Sequence, residues 1–80
     1  MPTELIALQR IAEAKQQQLT KLDLRACELR EIPPTLSELT KLQQLDLSIN
    51  NIHDLSPLAK LTQLSTLHLG SNQILSLIHI

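Results

Sequence analysis

Leucine recurs in this chain at a fixed spacing. In L-Q-Q-L-D-L-S-I-N-N-I, Leu42, Leu45, Leu47, Asn50 and Ile52 mark out L-x-x-L-x-L-x-x-N-x-I. Leu19, Leu22, Leu24, Cys27 and Leu29 hold the same places upstream, and Leu64, Leu67, Leu69, Asn72 and Ile74 hold them downstream. The second copy follows the first by 23 residues and the third follows the second by 22. At such a period each copy is one small supersecondary unit, too thin to bury its own apolar face, so the copies must stack and share a continuous core.

Composition agrees with stacked layers. The chain has 80 residues, enough for one domain near the small end of what buries a self-sufficient core. Leu supplies 19 of them and Ile 8, with no Phe, Tyr or Trp, so the core consists of repeated aliphatic contacts without a large aromatic anchor. A net charge of -1 argues against nucleic acid or an anionic membrane as partner, since both reward a basic excess. The single cysteine excludes an internal disulfide and a Cys-rich zinc framework, and fits a reducing compartment. The start M-P-T-E has no basic n-region, apolar h-region or cleavage site, and no apolar run approaches the roughly 20 residues of a membrane-spanning helix. The expected location is the cytoplasm.

The domain reading is a helix over 1-18 followed by repeats over 19-80, divided as 19-41, 42-63 and an incomplete 64-80. From Thr3 to Gln18 strong helix formers dominate, and Leu5, Leu8, Ile11 and Ala12 give an apolar stripe; Thr3 is the expected N-cap. Placed ahead of the first repeat, this helix is expected to cover its apolar end. Short strands are expected at Lys21 to Arg25, Gln44 to Ser48 and Thr66 to Gly70, paired in parallel. In the first return segment Pro33 and Pro34 block a helix, and Thr35 with Glu38 reads as a capping box, with Leu36 and Leu39 facing inward. In the second, Ser56 reads as N-cap with Pro57 at the first helical position, and Leu55, Leu58 and Leu61 face inward. Leu77 and Ile80 continue these columns, and Leu77, Ile78 and Ile80 lie at an end with no covering helix after them, so self-association there is expected.

Little in the chain suggests catalysis. His53, His68 and His79 are scattered over different parts of the repeat and imply no metal set; Cys27 occupies a structural column and is read as structural, not as a nucleophile; Ser and Thr are accounted for by caps and turns. No catalytic residue, cofactor or metal is expected. Asn50 and Asn72 suit the turn after each strand, because a carboxamide both donates to and accepts from main-chain groups, and Cys27 occupies the same column as a structural substitute. The exposed strand positions stack into columns: Lys21, Gln44 and Thr66; then Asp23, Asp46 and His68; then Arg25, Ser48 and Gly70. All but Gly70 are candidate partner-binding residues on a small polar face of mixed charge. Three strands offer less area than the roughly 800 Å² per partner of a standard interface.

The period and spacing are those of leucine-rich repeats. The expected fold is therefore α/β: a leucine-rich-repeat solenoid of about three repeats, with a short parallel β-sheet on its concave face and an N-terminal capping α-helix. The run Q-Q-Q-L-T-K-L-D-L-R-A-C-E-L-R-E-I-P-P-T-L-S-E-L-T-K-L and the following L-D-L-S-I-N-N-I resemble the start of bacterial leucine-rich-repeat proteins, including the arrays that precede GTPase domains in Roco proteins. D-L-S-P-L-A-K-L-T-Q-L is similar to the repeats of internalin-like adhesins. The likeness implies a noncatalytic protein-interaction module acting through its concave face. The alternatives are the N-terminal piece of a larger signalling protein such as a Roco-type GTPase, and an exported adhesin. No G-x-x-x-x-G-K-[ST] phosphate loop occurs in a chain whose one glycine is Gly70.

Overall fold

The computed structural model describes residues 3-72, with side chains from Leu5 onward. The expectations for the Thr3 cap, Ile74, Leu77, Ile78, His79 and Ile80 lie outside the described residues. Helix α1 (Thr3–Gln17) is followed by strands β1 (Lys21–Asp23), β2 (Gln44–Asp46) and β3 (Thr66–His68), with 3₁₀ segments at Pro34–Glu38 and Ser56–Lys60 returning the chain from β1 to β2 and from β2 to β3. The strands form one parallel sheet in the order β1-β2-β3. Lys21, Gln44 and Thr66 stand in one row, and Asp23, Asp46 and His68 in another. The strands are three residues each, shorter than the five expected. Main-chain pairing runs past them, from Leu24 N–H to Asp46 O at 2.9 Å and Leu47 N–H to His68 O at 2.9 Å.

The core is aliphatic apart from Cys27. Leu24, Leu29, Leu36, Leu42, Leu47, Ile52, Leu58 and Leu61 are fully buried, and no polar or charged residue is buried among the described ones. Leu64, Leu67 and Leu69 are partly buried against this core. Leu19, which aligns with Leu42, is instead 38% exposed, because it belongs to the turn that leaves α1.

Helix α1 packs against β1 and the first 3₁₀ segment. The face it buries differs from the one expected. Ala7, Ile11 and Ala14, spaced i, i+4, i+7, are buried, while Leu5 and Leu8 remain 47% and 40% exposed and Ala12 is exposed. Ile11 belongs to both stripes and is buried as expected; beside it the small Ala7 and Ala14 win because they let the helix lie close against β1 and the first 3₁₀ segment.

The helix ends one residue before the expected Gln18. Gln18 takes φ 53°, its N–H donates to Lys15 O at 3.3 Å, and Leu19 N–H donates to Ala14 O at 2.9 Å. These are the two bonds of a Schellman C-cap with glutamine where glycine is usual.

Both return segments start differently from the expectation. The first begins at Pro34, with Pro33 extended at φ -58°, ψ 136°, as a residue before proline prefers. Thr35 therefore lies inside the turn and caps nothing; the hydroxyl of Ser37 donates to Pro34 O at 2.7 Å, and Glu38 takes Lys15 Nζ at 3.4 Å. In the second, Leu55 precedes the segment and Ser56 opens it. Asp54 does the capping: its Oδ1 accepts the Ser56 N–H at 2.9 Å and its Oδ2 accepts the Ser56 hydroxyl at 3.0 Å.

Candidate interaction surface

Alternation along each strand sends Leu22, Leu45 and Leu67 inward and the residues on either side of them outward. Parallel pairing then aligns the outward residues across the sheet. Lys21, Asp23, Gln44, Asp46, Thr66 and His68 line an open concavity of about 350 Å³. Arg25, Ser48 and Gly70 follow just past the strand ends, where Ala26 N–H donates to Ser48 O at 3.0 Å and Ile49 N–H to Gly70 O at 2.8 Å. A Cβ at Gly70 would meet nothing, so neither packing nor a positive φ calls for glycine there.

The two aspartates serve the turn as well as the surface. Asp23 Oδ1 accepts the Arg25 N–H at 2.9 Å, and Asp46 Oδ1 accepts the Ser48 N–H at 2.9 Å, so each carboxylate closes an Asx-type turn as the chain leaves its strand. The hydroxyl and amide of Ser48 hold the Asp46 carboxyl below the usual carboxylate range; His68 and Arg25 add smaller pulls in the same direction, against slight burial.

Beneath the turns runs a column of side chains that ties adjacent units together. Asn50 Oδ1 accepts the N–H groups of Cys27 and Leu29 at 3.1 and 3.0 Å, and its Nδ2 donates to the carbonyls of Leu24, Leu47 and Ser48 at 3.0, 2.9 and 3.1 Å. Asn72 Oδ1 accepts the Ile52 N–H at 3.0 Å, and its Nδ2 donates to Leu47 O at 2.8 Å and Leu69 O at 3.1 Å. Cys27 is buried; its thiol donates to Arg25 O at a long 3.7 Å, and burial pushes its pKa up, with Arg10 and Asp23 nearby pulling in opposite directions.

The residue before each member of the column, Ala26, Ile49 and Ser71, has a positive φ of 57°, 56° and 60°. The chain thus reverses out of the strand through a left-handed residue every time, and Ile49 does so with a β-branched side chain that is 55% exposed.

Arg10, which the sequence did not single out, reaches this surface from α1. Its Nη1 donates to the main-chain oxygen of Asp23 at 2.9 Å. A contact between residues 13 apart leaves no local pattern to read. The Asp-to-amide turns did leave one, since Asp23 and Asp46 each stand two residues before the amide they accept. His53 is half-buried in the loop after β2, and His68 is exposed on β3. No group of three metal-binding side chains occurs among the described residues.

A short parallel sheet, strands 22 or 23 residues apart and an asparagine in the turn after β2 and after β3 together define the leucine-rich-repeat class. The leucine rich repeat family model matches residues 17–74, and the chain belongs to that family. It is also similar to the volume-regulated anion channel subunit LRRC8E of Xenopus tropicalis, 41% identical over 73 residues, which cover 88% of this chain and 8% of that protein. The chain therefore spans less than a tenth of the length of the curated relative it matches. No solved structure matches it significantly. Leucine-rich-repeat domains generally mediate protein–protein interaction. No helix among the described residues is long and apolar enough to cross a membrane.

Proposed function

We propose that the chain is a noncatalytic protein-interaction module, a leucine-rich-repeat solenoid of about three units that binds a protein through its concave strand face. The observation that carries this reading is the in-register face itself, with polar side chains held over an apolar core on a hydrogen-bonded frame. Lys21, Asp23, Arg25, Gln44, Asp46, Ser48, Thr66 and His68 are the contact residues in this reading. The 1-18 segment caps the first unit, and the module works in the cytoplasm. The test is a photo-crosslinking amino acid placed at Gln44 or Thr66, compared with one at Glu31 or Lys60 on the return side, in extract of the source cells. Crosslinks to a defined protein from the strand positions alone support the reading; equal or stronger capture from Glu31 and Lys60 defeats it.

A second copy is also proposed as a partner at the β3 end, where Leu64, Leu67 and Leu69 are less covered than Leu42, Leu45 and Leu47, their counterparts in the preceding unit. Light scattering across a hundredfold dilution tests it, and a concentration-independent monomer counts against it. The likeness to Roco arrays rests on the quoted motifs and keeps, as a second reading, a segment of a larger signalling protein. Reading the coding region past Ile80 for a phosphate-binding loop decides that point.

A further inference from the structure

The turn that leaves β2 carries a residue that the turn itself does not call for. Ala26, Ile49 and Ser71 hold the same place with the same left-handed backbone, at φ 57°, 56° and 60°. Small residues thus suffice there, whereas a β-branched side chain crowds its own backbone at positive φ. Burial does not offset the crowding. Ile49 is 55% exposed, more than Leu5, Leu8 or Leu19. An apolar side chain that is both strained and exposed is not explained by folding, and such positions concentrate where proteins bind their ligands.

The surroundings of Ile49 supply the chemistry. It shares an open hollow of about 400 Å³ with Glu28, Arg30, Asn50 and Asn51, none of which lines the concavity over the strands. The Asn50 carboxamide is already engaged with main-chain groups of two units. Among the described residues, by contrast, neither the Arg30 guanidinium nor the Asn51 carboxamide has a hydrogen-bond or ion-pair partner, and both residues are exposed. A guanidinium presents a planar fork of N–H donors that matches a carboxylate, and a carboxamide can both donate to and accept from a peptide group. Ile49 adds an apolar surface between them in sequence.

An aliphatic side chain, a carboxylate and a peptide group on one residue are the chemistry of a chain terminus. We infer that this hollow takes the C-terminal aliphatic residue of a protein chain, with its side chain on Ile49, its carboxylate on Arg30 and its peptide group on Asn51. An internal Asp or Glu fits less well, because in an extended segment its aliphatic neighbour projects to the opposite face. Glu28 borders the same hollow and opposes a bound carboxylate, so the affinity is modest. The site is separate from the concave face and stands whether or not that face binds.

The probes are acetyl-Ala-Ala-Leu with a free carboxylate, the same peptide as its C-terminal amide, and acetyl-Ala-Ala-Gly with a free carboxylate. Each is titrated into the full chain and followed by the Ile49 methyl, Arg30 Nε–H and Asn51 side-chain resonances. The leucine acid is expected to bind at least about fivefold tighter than either control, with its margin over the amide shrinking as ionic strength rises. Ile49→Asn is expected to weaken the leucine acid to the level of the glycine peptide while raising the urea midpoint of the chain, a divergence that a purely structural role for Ile49 would not give. Arg30→Gln is expected to erase the difference between acid and amide, and Glu28→Gln to tighten the acid. No measurable binding, equal affinity for the three peptides, or leucine-acid binding unchanged in Ile49→Asn overturns the inference. Isovalerate, titrated alone, tests the source of the ligand. Affinity equal to that of the leucine acid would make the ligand a free aliphatic acid and overturn the assignment to a chain terminus.

Discussion

Asn50 Oδ1 accepts the main-chain N–H of Cys27 at 3.1 Å across 23 residues of sequence, so the carboxamide of one unit caps the turn of the unit before it. Cys27, in the same column, has a thiol whose contact with Arg25 O is 3.7 Å long. Removing the two side chains should therefore have unequal consequences. Asn50→Ala strands several part-buried main-chain groups and is expected to cost about 1 to 3 kcal/mol, and more than Cys27→Ala. Denaturant melts of the two variants decide it; equal losses would mean that the column acts by packing alone.

Ile49 holds a left-handed backbone with a β-branched side chain that is 55% exposed, so it carries conformational strain with little burial in return. Ile49→Asn, a residue that accepts this conformation, is expected to stabilise the fold by roughly 1 kcal/mol. Gln18→Gly, at the C-cap of α1, is expected to act in the same direction. Urea midpoints that fall for both variants would show that the positive φ angles carry no cost.

Helix α1 offers a contrast between two apolar positions. Ala14 is fully buried beside the first return segment, and Ala14→Leu forces extra volume into the packing under α1, at about 1 to 3 kcal/mol. Leu8→Gln, on the exposed stripe, is expected to stay within about 0.5 kcal/mol of the parent. A large loss from Leu8→Gln would place a different face of α1 against the sheet.

Asp46 should contribute to acid sensitivity. Its carboxyl is held low in the folded state, first by the Ser48 hydroxyl and amide, so the stabilisation it provides is present above its unfolded pKa of about 3.9 and is lost as pH falls through the lower folded value. Ser48→Ala removes the leading cause. Carbon-detected NMR titration is expected to show the Asp46 midpoint moving up in that variant. An unmoved midpoint would assign the depression to the residue-48 amide, which alanine keeps, together with His68 and Arg25.

Cys27 is buried and its thiol pKa is raised by that burial, so native protein is expected to react slowly with a thiol reagent. Its modification rate should rise steeply with added denaturant. Prompt labelling of the native chain would place Cys27 at the surface.

The strands, their parallel order and their register were legible in the sequence because each depends on a repeated pattern. Leu22, Leu45 and Leu67 must face the same way in every copy, and a period of 22 or 23 then sets which outward residues become neighbours. The aligned asparagines were legible for the same reason: the turn recurs, and so does its capping group. The tertiary structure alone decided what no repeat encodes. Leu5-Leu8-Ile11-Ala12 and Ala7-Ile11-Ala14 both suit a helix and share Ile11; the closeness of β1 and the first return segment selected the set with the smaller flanking residues. Arg10 joined the strand face because α1 lies across β1, a long-range contact with no local signature. Thr35 and Ser56 matched capping patterns, yet the first turn started two residues early, at Pro34, and Asp54 took the Ser56 amide at the start of the second. Patterns repeated along the chain report which groups must be alike; where one element meets another, steric fit and hydrogen-bond reach choose among residues that are locally equivalent.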